Sequence, residues 1–367
     1  MYIPFVDLKI QYQSIKTDID AAIANVLNET AFIGGKYVAN FAKEFSELYG
    51  AKHCVPVANG TDSIYIILKM LDIGKGDEVI TVANSWISSS ETITQTGATP
   101  VFVDVDEYFT INIKEIENKI TKSTKAIMPV HLYGQMADVE EIAKICIKHN
   151  VHLIEDCAQS HFSEIKGIRA GLRGIASSFS FFPGKNLGAY GDAGCILTND
   201  DTFAEKCKMY ANHGALVKHQ HQIEGINSRM DGLQAAILSV KLPYIIKWTN
   251  QRIKCAAYYD KILDGISEIE LPKVRENSKH SYHLYVLKVQ KRDELMLYLK
   301  ENGIETAVHY PTPLPLLPAY KYLNLNSEDF PVSLANMHQI LSIPIFPELS
   351  IEQQDYIGNC IRTFYKK

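Results

Sequence analysis

The sequence predicts an α/β protein, with a mostly parallel seven-stranded sheet covered by helices and a smaller C-terminal α+β domain. Three observations carry this. Between His53 and Asn199, short β-branched runs alternate with helical stretches. Long amphipathic segments flank that block on both sides, and strand-like runs return only beyond about residue 265. The chain has 367 residues, more than the roughly 250–300 at which a single core stops growing. Two domains are therefore expected, a large one over 1–250 and a small one over 251–367.

Taken in order, IKTDIDAAIANVL from residue 14 reads as an amphipathic helix, FIGG as a turn and YVANFAKEFSELYG as a second helix. The expected strands are CVPVAN, EVITVAN, TPVFVDV, KAIMPVHL, HLIEDC, SSFSFF and CILTN. SIYIILKML, SETITQTG and VEEIAKICIKHN are the helices between them. After Asp200 come DTFAEKCKMYANHG and a long spine, MDGLQAAILSVKLPYIIKWTNQRIKCAAYYDKIL. SYHLYVLKV, RDELMLYLKENG and the Pro-rich HYPTPLPLLPAY complete the small domain.

Composition excludes several classes. A net charge of −5 and a pI near 6.2 give no electrostatic reason to bind nucleic acid or an anionic membrane. The seven cysteines are scattered without a CxxC pair, which suits reduced thiols in a cytoplasm better than a disulfide framework or a zinc site. MYIPFVDLKIQYQ has no basic start followed by an apolar run, and no stretch is long enough to span a bilayer. The expectation is a cytoplasmic protein.

The residues just after each strand belong together, because ligands of parallel α/β sheets sit at the carboxyl ends of the strands. Gly60, Thr61, Asp62 and Ser63 open a helix, where free N–H groups and the helix dipole suit a phosphate, or where Asn59, Thr61 or Asp62 simply caps the helix. Trp86 can stack on a flat ring or pack in a core. Asp156 ends an apolar strand, and a carboxylate there needs a cationic partner or backbone donors. Ser180 stands five residues before Lys185, which lies among four glycines and a proline in FFPGKNLGAYGDAG. A desolvated amine held on such a turn attacks carbonyls; the ordinary alternative is a solvated surface lysine. Together these residues supply a phosphate cradle, a stacking ring, an anion for a pyridinium and an imine-forming lysine, the needs of pyridoxal 5′-phosphate.

PFVDL, ANGTDS, GKGDEVITVANSW, PVHLYGQ, IEDCAQS, SFFPGKNLGAYGDAG, GINSRMDGLQAAIL and VHYPTPL carry a further signal. On these motifs, over nearly its whole length, the chain resembles the DegT/DnrJ/EryC1/StrS sugar aminotransferases, pyridoxal-phosphate enzymes of fold type I. The resemblance implies Lys185 as the Schiff-base lysine and proton carrier, and Asp156 at the pyridine nitrogen. It implies Gln159 at the cofactor's 3′-oxygen, Trp86 in the stacking position, and Gly60, Thr61 and Ser180 at the phosphate. Asn227 would reach a partner subunit's phosphate in a homodimer with shared sites. Two departures bear on the substrate: Pro315 stands where the family commonly has histidine, and Ser88-Ser89-Ser90 replaces an Ala/Thr pattern. Both regions are expected near the sugar nucleotide.

His309 and Tyr310 are further candidates for the sugar site, or for packing of the small domain, and His161 for substrate contact or a place behind it. His213, His219 and His221 lack the further ligands that a metal would need, and no metal is expected. The resulting expectation is transfer of an amino group from L-glutamate to C4 or C3 of a nucleotide-linked keto-deoxysugar, as in deoxyaminosugar or surface-polysaccharide biosynthesis. Two readings stand beside it: an aminodehydration of a cyclic non-sugar ketone, and a non-catalytic regulator on the same fold. A related dehydratase reading, with histidine at the lysine position, is opposed by Lys185.

Overall fold

The structure, a computed structural model, describes residues 1–366. All seven expected strands form one sheet: β1 His53–Val57, β2 Glu78–Val82, β3 Thr99–Val103, β4 Thr124–Met128, β5 His152–Asp156, β6 Ala176–Ser180 and β7 Gly194–Thr198. Their order is β1-β7-β6-β5-β4-β2-β3. The block from β3 to β6 is parallel throughout, and β7 runs antiparallel to both β6 and β1. The near-continuous apolar character of the central strands follows from helices on both faces. Val79, Met128 and Ile154 pack into one buried cluster, and Ile80, Ile127 and Leu153 into another.

The helix Gly35–Tyr49 shows how local sequence fixes the packing. Phe41, Phe45 and Tyr49 recur every fourth residue, are fully buried, and meet Phe179 and Phe181 edge to face. Gly50, at φ +89, ends it in the left-handed region that favours glycine.

The N-terminal arm and the spine both differ from expectation. A short helix, Leu8–Ser14, capped by the Asp7 side chain, precedes Lys16–Asn28. The long spine is interrupted: Gly232–Lys241 and Ile245–Leu263 are joined by a 3₁₀ turn over Leu242–Tyr244. Pro243 has no N–H for the helical ladder, and its ring crowds the preceding turn, so the helix tightens there.

The smaller sheet is antiparallel, with β8 Ile269–Glu270, β9 Tyr285–Val289 and β10 Ile340–Ile343 in that order. Its pleat has two buried faces. Tyr285, Leu287 and Val289 join a core with Tyr259, Leu299 and Ile357, while Leu284 and Val286 pack against the large sheet's Ile80, Ile127 and Leu153. Ile3 of the N-terminal arm also sits in the smaller core, bridged to Ile304. Among the described residues, no helix is long and apolar enough to cross a membrane.

Candidate active site

A cavity of about 550 Å³ opens at the carboxyl ends of the large sheet's parallel strands. Its wall takes Asn59–Thr61 from behind β1, Ser85, Trp86, Ser88 and Ser89 from behind β2, and Asp156, Ala158 and Gln159 from behind β5. Ser180, Phe182, Gly184 and Lys185 come from behind β6. The small domain adds His283, His309 and Tyr310, and the N-terminal arm adds Phe5 and Val6.

At one end, the helix Gly60–Met70 starts against β6. Asn59 is its cap, accepting the Asp62 N–H at 2.8 Å, which decides among the three capping residues that the sequence left open. The approach requires glycine, because a Cβ on Gly60 would lie 2.7 Å from Ser180 Cβ. Free backbone donors of a helical first turn, the Thr61 hydroxyl and the Ser180 hydroxyl thus share one corner, which suits an anionic group.

Asp156 lies deep, 4% exposed. Its Oδ1 accepts the Ala158 N–H at 3.1 Å and its Oδ2 the Ser89 hydroxyl at 2.9 Å. Because that single hydroxyl hydrogen goes to Asp156, Ser85 must donate to Ser89 across their 2.8 Å contact. Burial pushes the Asp156 carboxyl up, opposed by the Ala158 amide, the Ser89 hydroxyl and the charge of Lys185. Lys185 shows the reverse: burial lowers its amine to about 8, against the pull of Asp156. Among the described residues, the Lys185 amine has no hydrogen-bond partner.

The serine run, expected near the substrate, lies at this deep end instead. Ser88 meets Thr61 at 2.7 Å, Ser89 holds Asp156, and Ser90 accepts the Tyr320 hydroxyl at 2.7 Å. The helix they begin starts at Ser88, two residues before the SETITQTG segment. Pro315 is buried in a 3₁₀ turn and does not line the cavity.

The other candidates divide. Gln159 Oε1 accepts the Tyr133 N–H at 2.8 Å and its amide donates to the Tyr310 hydroxyl at 3.0 Å, which leaves one amide hydrogen free. Trp86, 58% exposed, stands at the mouth with its ring 5.6 Å from that of Tyr310. His309 stacks on Phe5 at 5.5 Å and pairs with the Ser342 hydroxyl at 2.9 Å. His161 is not brought to the cavity. It is fully buried among Phe179 and Phe181, and burial followed by the Lys185 charge lowers it to about 3, so it is neutral. Asn227 is exposed and outside the cavity of its own chain. His213 and His221 meet on an exposed loop, ring nitrogen to carbonyl at 2.7 Å.

Sequence reasoning missed the part that Ser85 and Ser89 play at Asp156, and it missed His283 and the His131–Glu155 pair beneath the site. Alternation along HLIED put Asp156 on the cavity side, so Glu155 had to face the opposite way, and that signal was available. His131 Nδ1 accepts the Ala137 N–H at 3.2 Å, so Nε2 donates to Glu155 at 2.9 Å. The carboxylate also takes the N–H groups of Gly171, Arg173 and Gly174, each at 2.8 Å. Burial would raise Glu155, but His131 and the amides hold it below its ordinary range. Cys157 lies near this pair. With the Glu155 oxygens fully engaged, the trio is a structural brace beneath Asp156.

A cofactor with an aldehyde, a basic ring nitrogen and an anionic tail fits these residues. The unpartnered amine suits the aldehyde, the deep carboxylate with open acceptor positions suits the ring nitrogen, and the Gly60 corner suits the tail.

A family model, described as the DegT/DnrJ/EryC1/StrS aminotransferase family, matches residues 13–362. The chain is 43% identical to a pleiotropic regulatory protein of Geobacillus stearothermophilus, covering 100% of this chain and 99% of that one. It is 42% identical to the dTDP-3-amino-3,6-dideoxy-alpha-D-galactopyranose transaminase of Aneurinibacillus thermoaerophilus, with 99% of each covered. The crystal structure of Streptomyces venezuelae DesV in complex with a ketimine intermediate superposes with a TM-score of 0.97 at 37% identity, covering 100% of this chain and 99% of that chain.

Proposed function

The chain belongs to the DegT/DnrJ/EryC1/StrS aminotransferase family, and we propose that it uses pyridoxal 5′-phosphate to move an amino group from L-glutamate to a nucleotide-linked keto-deoxysugar. The carrying observation is one cavity that holds an unpartnered amine lowered to about 8 and a buried carboxylate. The 3-amino product in the Aneurinibacillus relative's name favours amination at C3 over C4. A purely regulatory role would leave Lys185 and Asp156 without a task in that cavity. A cytoplasmic location and domains over 1–250 and 251–367 belong to the same proposal. Support for the boundary comes from the helix Ile245–Leu263, which gives Trp248 to one buried cluster and Tyr259 and Leu263 to the other.

Bound there, the cofactor supplies an aldehyde that captures amines and a ring that draws off electrons. Gly60, Thr61 and Ser180 would hold its phosphate, Trp86 would face its ring, and the free amide hydrogen of Gln159 would reach its 3′-oxygen. Lys185, with an amine poised between charged and neutral near pH 8, takes a proton from one carbon and returns it to another. Asp156 would stand beside the ring nitrogen, where its carboxylate would keep a proton on the ring. The test is spectroscopic. L-glutamate should bleach the visible band of the yellow holoprotein, and a keto-sugar nucleotide from a dTDP, UDP and GDP panel should restore it. A band unmoved by glutamate would end this reading.

The Ser89 hydroxyl helps Asp156 remain charged. Ser89→Ala should move the acidic limb of the pH–rate profile up by about one pH unit, the worth of one hydrogen bond to a charge. Asp156 would then be protonated at higher pH, while Ser89→Thr should follow the native profile.

The proposed assembly is a homodimer, with Asn227 serving the partner's cofactor phosphate. Phe32, Ile33 and Val217 are 48%, 56% and 57% exposed, and Phe182, at the cavity mouth, is 56% exposed; these apolar surfaces suit burial in such an interface. Mixing an inactive Lys185→Ala protein with an inactive Asn227→Ala protein, under subunit exchange, should restore activity. One of the two sites in each hybrid then has both residues native. No recovery in hybrids confirmed by mass would rule out the shared site.

A further inference from the structure

His283 stands two residues before β9 begins, on the cavity wall that also holds Lys185. The fold fixes this residue by four independent means. Tyr282 before it has φ +44, a conformation seldom adopted by an aromatic residue. Gly134 lets the segment approach, since a Cβ there would lie 2.7 Å from the Tyr282 nitrogen and 3.0 Å from the His283 nitrogen. The buried Arg252 guanidinium donates through one nitrogen to the carbonyls of Tyr282 and His283 at 3.2 and 3.3 Å. The imidazole itself meets Asn186, with Nδ1 3.2 Å from the amide oxygen.

This last contact determines the tautomer. The Asn186 amide nitrogen donates to the Ser281 carbonyl at 3.1 Å, so its oxygen is what faces the ring. The hydrogen of the neutral ring therefore sits on Nδ1, and Nε2 keeps a lone pair. Nε2 has no partner among the described residues and is not a fully buried atom, which leaves it open to the cavity. Burial, and next the charge of Lys185, push the imidazole well below its ordinary pKa, so it stays neutral.

A neutral acceptor has narrow chemistry. It offers nothing to a carboxylate or a phosphate, which have no hydrogen to give. A second cation is disfavoured so close to Lys185. Hydroxyl groups remain, and a keto-sugar carries them whereas L-glutamate does not. Resting on the reading above, we propose that His283 Nε2 accepts the hydrogen of a sugar hydroxyl and so helps select the sugar substrate, with Asn186 holding the ring in the accepting tautomer.

The two half reactions separate this role from others. In rapid mixing of the holoprotein, His283→Phe should slow reaction of the amine-loaded form with the keto-sugar nucleotide by about tenfold to a hundredfold. Bleaching by L-glutamate should keep its native rate within about twofold, well under the effect of a lost hydrogen bond. His283→Gln, whose amide oxygen is again an acceptor, should recover part of the loss, and Asn186→Ala should show a smaller loss of the same selectivity. Calorimetric binding of dTDP-3-amino-3,6-dideoxy-α-D-galactopyranose to the cofactor-free protein should weaken in the same order. Equal slowing of both half reactions would assign His283 to Lys185 and overturn the proposal, as would an unchanged sugar half reaction. A wild-type protein unmoved by glutamate would remove the premise, and the proposal with it.

Discussion

Lys185→Ala should abolish turnover, by about 10⁴-fold or more, because no other amine on the cavity wall can take over the covalent and proton-carrying roles proposed for it. Borohydride treatment of the wild-type holoprotein should fix the cofactor's mass to the chain, whereas the variant should remain unlabelled. Residual keto-sugar turnover at a native rate would refute the assigned role. Stability supplies a second readout. The folded amine titrates near 8, against 10.5 for an ordinary lysine, so between these values the unfolded chain binds the extra proton. The Lys185 contribution to stability therefore improves as pH rises from 8 to 10.5, and is least favourable below 8. Denaturation of cofactor-free wild type and Lys185→Ala should show the wild type gaining on the variant across that window.

Asp156→Asn is expected to have the next largest effect, a loss of about 10³-fold in both half reactions. The amide keeps the shape but cannot hold a proton on a ring nitrogen, and so removes the charge that makes the ring an electron sink. Stopped-flow bleaching with L-glutamate measures it, and a native rate would displace Asp156 from the site. Stability should move the other way. Burial disfavours the ionised carboxylate in the free protein, so the neutral variant should melt no lower than wild type without cofactor. Loss of function with retained or increased stability is the signature of a charge kept at a site for chemistry rather than for folding.

The sequence made the deep end of the site legible, because its parts follow strands that period and β-branched content locate unaided. Asp156, Ser180 and Lys185 each stand at or just beyond a strand that ends within two residues of the expected place. The cavity's other wall was not legible in the same way. Ser89 reaches Asp156 across 67 residues and His283 meets Asn186 across 97, and nothing in local periodicity encodes such pairings. Phe5 and His309, which stack across the mouth, are joined only through the arm's docking on the small domain. For His161 the sequence left two places open, substrate contact or a position behind it, and the chain turns after Gln159 to pack the ring among phenylalanines. The spine was misjudged at Pro243, where an apolar helical pattern continues through a residue that cannot complete the hydrogen-bond ladder.

Three successive hydroxyls, on Ser88, Ser89 and Ser90, bind to three separate parts of the chain: Thr61, Asp156 and Tyr320. One helical turn advances about 5.4 Å, so the spacing among these three attachments is set by backbone geometry rather than by loops. That turn works as a common gauge block for the molecule. The helix start at Thr61, the buried carboxylate of Asp156 and Tyr320 of the Pro-rich stretch are all measured from it. A single inserted residue in the turn would misalign all three at once.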